Sequence, residues 1–389
     1  LCGVSMNSRK EALAELRAFM PRVPNYAATR NYILPEHENV SRLSKWIRHR
    51  VISEEECIES VLSHHPFSSA EKFLQEILWR VYWKGWLELR PAVWQEYLDQ
   101  VATLSNHYQD KDLYRRAIIG ETSLTFFDEW VQELKTTGYL HNHARMWFAS
   151  VWIFTLKLPW QLGACFMYQH LLDGDAAANT LSWRWVAGLH TPGKTYLATP
   201  QNIATYSKGR WKPHSSELHT TPRPPQPDKV GPASELPRVS RETPAPGSLI
   251  VIHDDDLSAD LSAEFIGRGT HYCLLAPPLT HSSPLKNSLI TSLRADAAQR
   301  THAPLVSTAQ DIVDFAKCQR VSQVHMMAPR VGFDRASIVK LESELRARGI
   351  EVSHHRRTWD ERLMPMATSG FFKFWEAVKP LLKDTKAVH

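Results

Sequence analysis

Apolar positions in the first two hundred residues recur at helical spacing. In EKFLQEILWRVYWKGWLELR, Phe73, Ile77 and Val81 fall four apart with Leu74, Leu78 and Tyr82 beside them, which predicts an amphipathic helix. HNHARMWFASVWIFTLKL and CFMYQHLLDGDAAANTLSWRWV carry the same period, and strand-like alternation is scarce. Residues 213–247 hold nine of the 24 prolines and no apolar period. Such a composition buries too little surface to offset its ordering entropy, and predicts an extended linker. After it the period changes. SLIVIHDDDLS, HYCLLAPPL, VSQVHMMAPRV and GIEVSHHRRT are short strand candidates; NSLITSLRADAAQR and FDRASIVKLESELRARG between them are helical, and Gly349 is a helix stop. Strands alternating with helices predict βαβ units around a small parallel sheet. The expected fold is multidomain, α and α/β: an all-helical domain over residues 1–211, a proline-rich linker over 212–247 and a small parallel-sheet, Rossmann-like domain over 248–389. No GxGxxG follows the first strand, so the dinucleotide fingerprint is absent.

Of the 389 residues, 43% are hydrophobic and 22% charged, which excludes a disordered or fibrous chain. No apolar run approaches the ~20 residues of a membrane span, and LCGVSMNSRKEALAEL has no signal-peptide core. A soluble, cytoplasmic protein is expected. The five cysteines are scattered singly, which argues against a metal site or a disulfide framework. The net charge of +5 is not concentrated in either half, so a polyanionic partner is permitted and not demanded. Twelve of the fourteen tryptophans precede residue 212, so the two halves differ in kind.

Three clusters in the helical half gain coherence from helix geometry. Asp175, Asn179 and Trp183 stand at i, i+4 and i+8, giving one face a carboxylate, an amide and an indole. Asn142 and Met146 share a face, with Arg145 adjacent. Glu76, Trp79, Arg80 and Trp83 stand opposite the apolar stripe of their helix. A polar and aromatic face backed by an apolar one suits a helix lining a buried cavity. Each cluster also has a plainer reading: Asp-Gly-Asp as a turn and helix cap, Glu76 and Arg80 as a surface ion pair of small worth, the tryptophans as core.

Together the clusters resemble the FAD-binding catalytic domain of the photolyase/cryptochrome family, in family order from Tyr26 to Trp185. Tyr26 and Arg30 are followed by Val40-Ser41-Arg42-Leu43-Ser44, similar to that family's T-S-R-L-S segment. Glu76-Ile77-Leu78-Trp79-Arg80 resembles its E-L-I-W-R helix. Thr137-Gly138-Tyr139-Leu140-His141-Asn142, then Arg145-Met146, resembles T-G-W-M-H-N and its sequel. Asp173-Gly174-Asp175-Ala176-Ala177-Ala178-Asn179 matches D-G-D-x-A-A-N, with Trp183 four residues on.

The resemblance implies FAD held by Tyr26, Val40 to Ser44, Arg80, Tyr139, Asn142, Arg145, Asp173, Asp175 and Asn179. Its pyrophosphate would lie on Ser41–Ser44 and Arg80, where amides and a guanidinium favour an anion. Arg145 would pair with Asp173, Asp175 would accept from the flavin ring, and Asn179 would face its N5. Glu76 and Trp79 would hydrogen-bond and stack on a cyclobutane pyrimidine dimer. Asn142 and Met146 stand where six-four photolyases carry histidines, and an amide and a thioether cannot supply that proton; His141 and His143 point away. The implied activity is light-driven repair of damaged DNA: an electron passes from photoexcited reduced FAD to a flipped-out dimer. Arg30, Trp79 and Lys194 would meet DNA, and Trp183 and Trp160 would feed electrons to the flavin. The third tryptophan of the family chain would fall near His107, where none stands; Tyr108 is the nearest oxidisable side chain. GETSLTFFDEW and KTYLATPQNIATYSKGR also depart from the family pattern. The alternatives are a cryptochrome-like photoreceptor and a flavoprotein without DNA contact.

Family members carry an α/β antenna domain before the FAD domain, yet 25 residues precede Tyr26. LIVIHDDDLS resembles the first strand of that antenna domain. LRARGIEVSHH with LMPMATSGFFKFWEAVKP resembles its close. A permuted order is therefore expected, with a generic βαβ domain as the alternative. A monomer is expected, and a second, antenna chromophore is left open.

Overall fold

The computed structural model describes residues 7–191, 193–219, 221–226 and 229–384. Up to residue 207 they form helices: α1 (Arg9–Phe19), α2 (Tyr26–Thr29), α3 (Ser44–Arg48), α4 (Glu54–His64), α5 (Phe67–Glu88), α6 (Pro91–Tyr108), α7 (Asp112–Ile119), α8 (Thr125–Thr137), α9 (Asn142–Ser150), α10 (Trp160–His170), α11 (Ala176–Val186) and α12 (Pro200–Tyr206). Local chemistry sets their starts. Ser8 and Ser53 cap α1 and α4, each accepting from the amide three residues on while Glu11 or Glu56 reaches back to the cap N–H. Asp175 caps α11, accepting from the Ala178 N–H at 2.7 Å.

Helix α5 runs through this half. Phe73, Leu74, Ile77 and Leu78 are buried, Glu76, Trp79 and Arg80 are half-buried, and every residue from Val81 to Glu88 is buried. Trp83 therefore leaves the polar face expected of it and is only 6% exposed. His190, in the turn after α11, packs on it with ring centroids 4.8 Å apart, and the chain's C-terminal part lies over another side of α5, where a Cβ on Gly85 would stand 2.9 Å from the Met364 Cα.

The later part holds five strands: β1 (Ser248–Ile252), β2 (Gly269–Leu275), β3 (Leu305–Val306), β4 (Gln323–Met327) and β5 (Glu351–His355). Helices α13 (Pro284–Thr301), α14 (Ala309–Cys318), α15 (Phe333–Ala347), α16 (Thr358–Leu363) and α17 (Phe371–Asp384) surround and follow them. All pairs are parallel, in the order β3-β2-β1-β4-β5. The fold is thus α followed by α/β, with a small Rossmann-like sheet. Leu249 and Val251 pack with α14 and α15, whereas Ile250 and Ile252 on the other face join the main core of the helical half. One core spans both parts.

The proline-rich segment is correspondingly not a free tether. Ser234 donates to the Leu89 carbonyl at 2.8 Å, Ser240 to that of His354 at 2.7 Å, and Arg356 donates to Pro237 O at 2.8 Å. It is a strap docked on both parts.

The carboxyl ends of β1 and β4 form the topological switch point, where open α/β sheets have their crevice. Here the helical half fills it with charge. Asp254 grips Arg294 through both oxygens at 2.8 and 2.6 Å, and Asp255 takes Arg48 at 3.0 Å. Asp256 holds Arg357 through both oxygens at 2.7 Å and Arg50 at 3.4 Å, and Arg50 also reaches Asp360 at 2.7 Å. A cavity of about 90 Å³ lined by Arg50, Arg330, His354 and neighbours remains beside this cluster.

Burial also keeps histidines neutral. His49 is pushed down to about 3 by burial and then by Arg48, His141 to about 3 by burial and then by His37, and His355 to about 4 by burial and then by His325. Each takes up its proton near pH 6.5 only when unfolded, so stability is lost as pH falls from there toward 4. Asp334, raised by burial to about 6, acts oppositely between about 6 and 4. Together with His190, held down to about 4 by burial and then by Arg184, the histidines outweigh Asp334, so stability falls between pH 7 and 5. Thermal melts across that range check this; a melting temperature that stays level or rises on acidification refutes it.

Candidate functional site

Helices α5 and α9 and the turn before α11 converge on Asp173, which is 4% exposed. Its carboxylate accepts from Arg80 at 3.0 Å and from Arg145 at 3.0 Å. Burial alone would raise its pKa; Arg145 and Arg80 reverse this and hold it well below the usual carboxylate range, helped by a hydrogen bond from Ser44. Arg145 is itself braced by its Nε donating to the Leu140 carbonyl at 2.8 Å. The Tyr139 ring lies between two guanidiniums, with Arg42 at 5.2 Å and Arg145 at 5.5 Å from its centroid. Two guanidiniums thus share one carboxylate, with Arg42 nearby on the Tyr139 ring, and the excess positive charge suits an anion.

Tyr26, Ser41, Ser44, Arg80, Tyr139 and Arg145 each keep part of their surface accessible. Protein nevertheless encloses the two phenols enough for burial to push Tyr139 up to about 12 and to raise Tyr26 as well. Val40 is half-buried, Leu43 is buried and Arg42 is exposed.

At the neighbouring turn of α5, Glu76 accepts from Arg30 at 2.8 Å and lies 3.5 Å from Lys72. Trp79 stacks face to face on Phe371, the first residue of α17, with centroids 3.7 Å apart and planes 9° from parallel. Asn142 opens α9 and is exposed, and Met146 stands one turn on, half-buried. His143 bonds the Asn31 carbonyl through Nδ1 at 3.0 Å, while His141 caps α9 by accepting from the His143 N–H at 3.1 Å.

On α11, Asn179 is 8% exposed and donates through Nδ2 to the Ala164 carbonyl at 2.8 Å, which turns Oδ1 to the opposite side. Asp175 stands just before α11. Its carboxylate caps α11 and stands 3.8 Å from Arg48, within the charge cluster that joins helices and sheet. Trp183 and Trp160 are both buried, and Lys194 is exposed on the loop beyond α11. Two contributors escaped the sequence reading. Phe371 lies in a segment noted only for its closing motif, and Arg48, which donates to the Gly174 carbonyl at 3.0 Å between Asp173 and Asp175, carried no signal.

Residues 73–209 match the family described as the FAD binding domain of DNA photolyase. The chain is 29% identical over 191 residues to the deoxyribodipyrimidine photo-lyase of Salmonella typhimurium, covering 48% of this chain and 40% of that protein. It is 31% identical over 211 residues to a deoxyribodipyrimidine photo-lyase of Thermus thermophilus, covering 51% of this chain and 48% of that protein. A bacterial class III photolyase from Agrobacterium tumefaciens is similar in structure, with a TM-score of 0.45 and 23% identity over 52% of this chain and 43% of that one. Residues 73–209 thus carry the FAD binding domain of DNA photolyase, and the helical half is similar to that of the deoxyribodipyrimidine photo-lyases. The chain spans less than half the length of these curated relatives, and Tyr26, Arg30 and Val40–Ser44 precede the matched span. No described helix is long and apolar enough to cross a membrane.

Proposed function

We propose that the chain binds FAD beside Asp173 and repairs cyclobutane pyrimidine dimers in DNA with light. The observation that carries this reading is the arrangement on α5. Glu76, Trp79 and Arg80 share one stretch of half-buried helix; Arg80 reaches Asp173, and Glu76 reaches Arg30. A cofactor-holding group and substrate-holding groups are thus set one helical turn apart.

The residues present fit FAD. Arg80 and Arg145 share one carboxylate and, with Arg42 beside the Tyr139 ring, suit the pyrophosphate, with Ser41 and Ser44 as hydroxyl partners. Asn179, anchored by its Nδ2, offers Oδ1 to the flavin N5. Bound FAD supplies the light-driven electron chemistry. The protein's part is orientation and charge. Asp173 fixes both guanidiniums, Glu76 hydrogen-bonds dimer carbonyls, Trp79 offers its free face for stacking, and Asn142 and Met146 border the dimer. Arg30 and Lys194 meet DNA phosphates. For the chain's organisation we propose catalytic residues 1–211, the strap 212–247, and an antenna-like unit 248–389, a permuted order supported by the sheet topology.

Illuminating the reduced protein with a dimer-containing oligonucleotide tests the reading. Loss of dimer supports it, and tight flavin binding without dimer loss refutes it. Glu76→Ala should slow repair about ten- to a hundredfold, the worth of a hydrogen bond to a charged group, with flavin content unchanged. Loss of flavin in that variant refutes the assigned role. One observation favours a cryptochrome-like photoreceptor instead: Phe371 already covers one face of Trp79.

A further inference from the structure

Aromatic rings extend from Trp183 in a direction that the family resemblance does not anticipate. Trp183 lies edge-on to Trp152, with centroids 6.3 Å apart. Trp152 meets Tyr114 at 6.1 Å, and Tyr114 meets Tyr108 at 6.5 Å. Both indoles close on Gly163: a Cβ there would stand 2.3 Å from the Trp183 ring and 2.8 Å from Trp152 Nε1. Only glycine permits that approach. Trp152 also sits on a π-helical turn, Val151–Thr155, that continues α9, a local irregularity that re-aims side chains and recurs at functional positions. The series begins in the core, where Trp152 is 0% and Trp183 2% exposed, and ends at two half-buried tyrosines near the surface.

The other direction is poorer for moving positive charge. The Arg184 guanidinium lies 5.9 Å over the Trp160 ring. Beyond Trp160 stands Tyr97 at 5.6 Å, 2% exposed, with the Gln161 carbonyl at 3.5 Å facing its hydroxyl. An oxidised tyrosine must shed its proton, and this one is shut away from solvent beside an acceptor too weakly basic to take it. Trp94 follows at 5.2 Å and then Phe333 at 4.9 Å, which is not oxidisable.

We propose that the flavin site draws electrons from the surface along Tyr108, Tyr114, Trp152 and Trp183, with Trp160 off the route. This rests on the FAD reading above. In balance, one electron leaves Trp183 for the photoexcited flavin, and the vacancy passes through Trp152 and Tyr114 to Tyr108. Tyr108 gives its phenolic proton to water as it is oxidised. A thiol in solution returns one electron and one proton.

The test compares photoreduction of the flavin-loaded protein, in the presence of dithiothreitol, by visible absorption and by the transient tyrosyl radical signal. Trp152→Phe should slow photoreduction about tenfold or more, and Trp160→Phe should change it less than about twofold. Tyr108→Phe should remove the tyrosyl signal while leaving flavin bound. The half-buried Tyr114→Phe should do so as well, and serves if Trp152→Phe does not fold. Slow photoreduction in Trp160→Phe with normal rates in Trp152→Phe or Tyr114→Phe overturns the route alone. A native protein that takes up no flavin overturns the FAD reading and the route with it.

Discussion

Asp173→Asn should release the flavin. The substitution keeps the side chain's size but removes the one negative charge that Arg80 and Arg145 share at 3.0 Å each. Two guanidiniums would then face each other across a neutral amide, in a position where the carboxylate is 4% exposed and held ionised by them. Breaking an enclosed ion pair from one side costs about 3 kcal/mol, and more when fully buried. That loss falls on both folding and the cofactor, because the same arginines present the positive charge for the pyrophosphate. Flavin affinity should drop about a hundredfold. Absorbance at visible wavelengths after gel filtration checks this; a variant that elutes with a full complement of flavin refutes the placement of the site.

Much of this site could be read along the chain because its parts lie on single helices. Glu76, Trp79 and Arg80 fall within one turn of α5, and Asp175, Asn179 and Trp183 follow at four-residue steps, so helical periodicity alone put each set on one face. The turn Asp173-Gly174-Asp175 was legible as a cap, and that is what the Asp175 carboxylate does. The same reading misjudged Trp83, since periodicity cannot show that a distant residue such as His190 will cover a polar face. It also took the proline-rich segment as a tether, because composition hides the backbone hydrogen bonds of Ser234 and Ser240 that dock it.

In the later part, four strands announced themselves by short apolar runs between helical stretches. The fifth, β3, has two residues, and Leu305 is 57% exposed, so no pattern marked it. The deepest gaps concern residues far apart in the chain. Arg48 and Asp255 are 207 positions apart, and Phe371 stacks on Trp79 from the opposite end of the sequence. HDDD falls at the end of the strand candidate SLIVIHDDDLS, and its residue types alone do not say where the side chains go. Only the fold reveals that the three aspartates are buried and that each meets its own arginine.

Arg48→Met should expose how far the sheet supports the site. Arg48 is 5% exposed, donates to Asp255 at 3.0 Å and to the Gly174 carbonyl at 3.0 Å, and lies 3.8 Å from Asp175. Methionine fills similar volume but leaves two buried carboxylates short of a cation, a loss of about 3–5 kcal/mol for uncompensated buried charge. Asp255 retains Arg330, which donates to its backbone carbonyl and lies 3.9 Å from its carboxylate, so the fold has partial compensation. Gly174 keeps Lys286, though only at 3.5 Å. The turn carrying Asp173 would therefore loosen, and flavin should be held more weakly even though Arg48 itself bonds neither Arg80 nor Arg145. Replacing Arg48 and Asp255 together, by Met and Asn, removes the charge mismatch and should recover part of the stability but not the tie to Gly174. Chemical denaturation and flavin retention, measured on the single and double variants, separate these effects. If the single variant unfolds at the native midpoint, or the double variant regains flavin as fully as stability, the coupling between sheet and site does not run through Arg48.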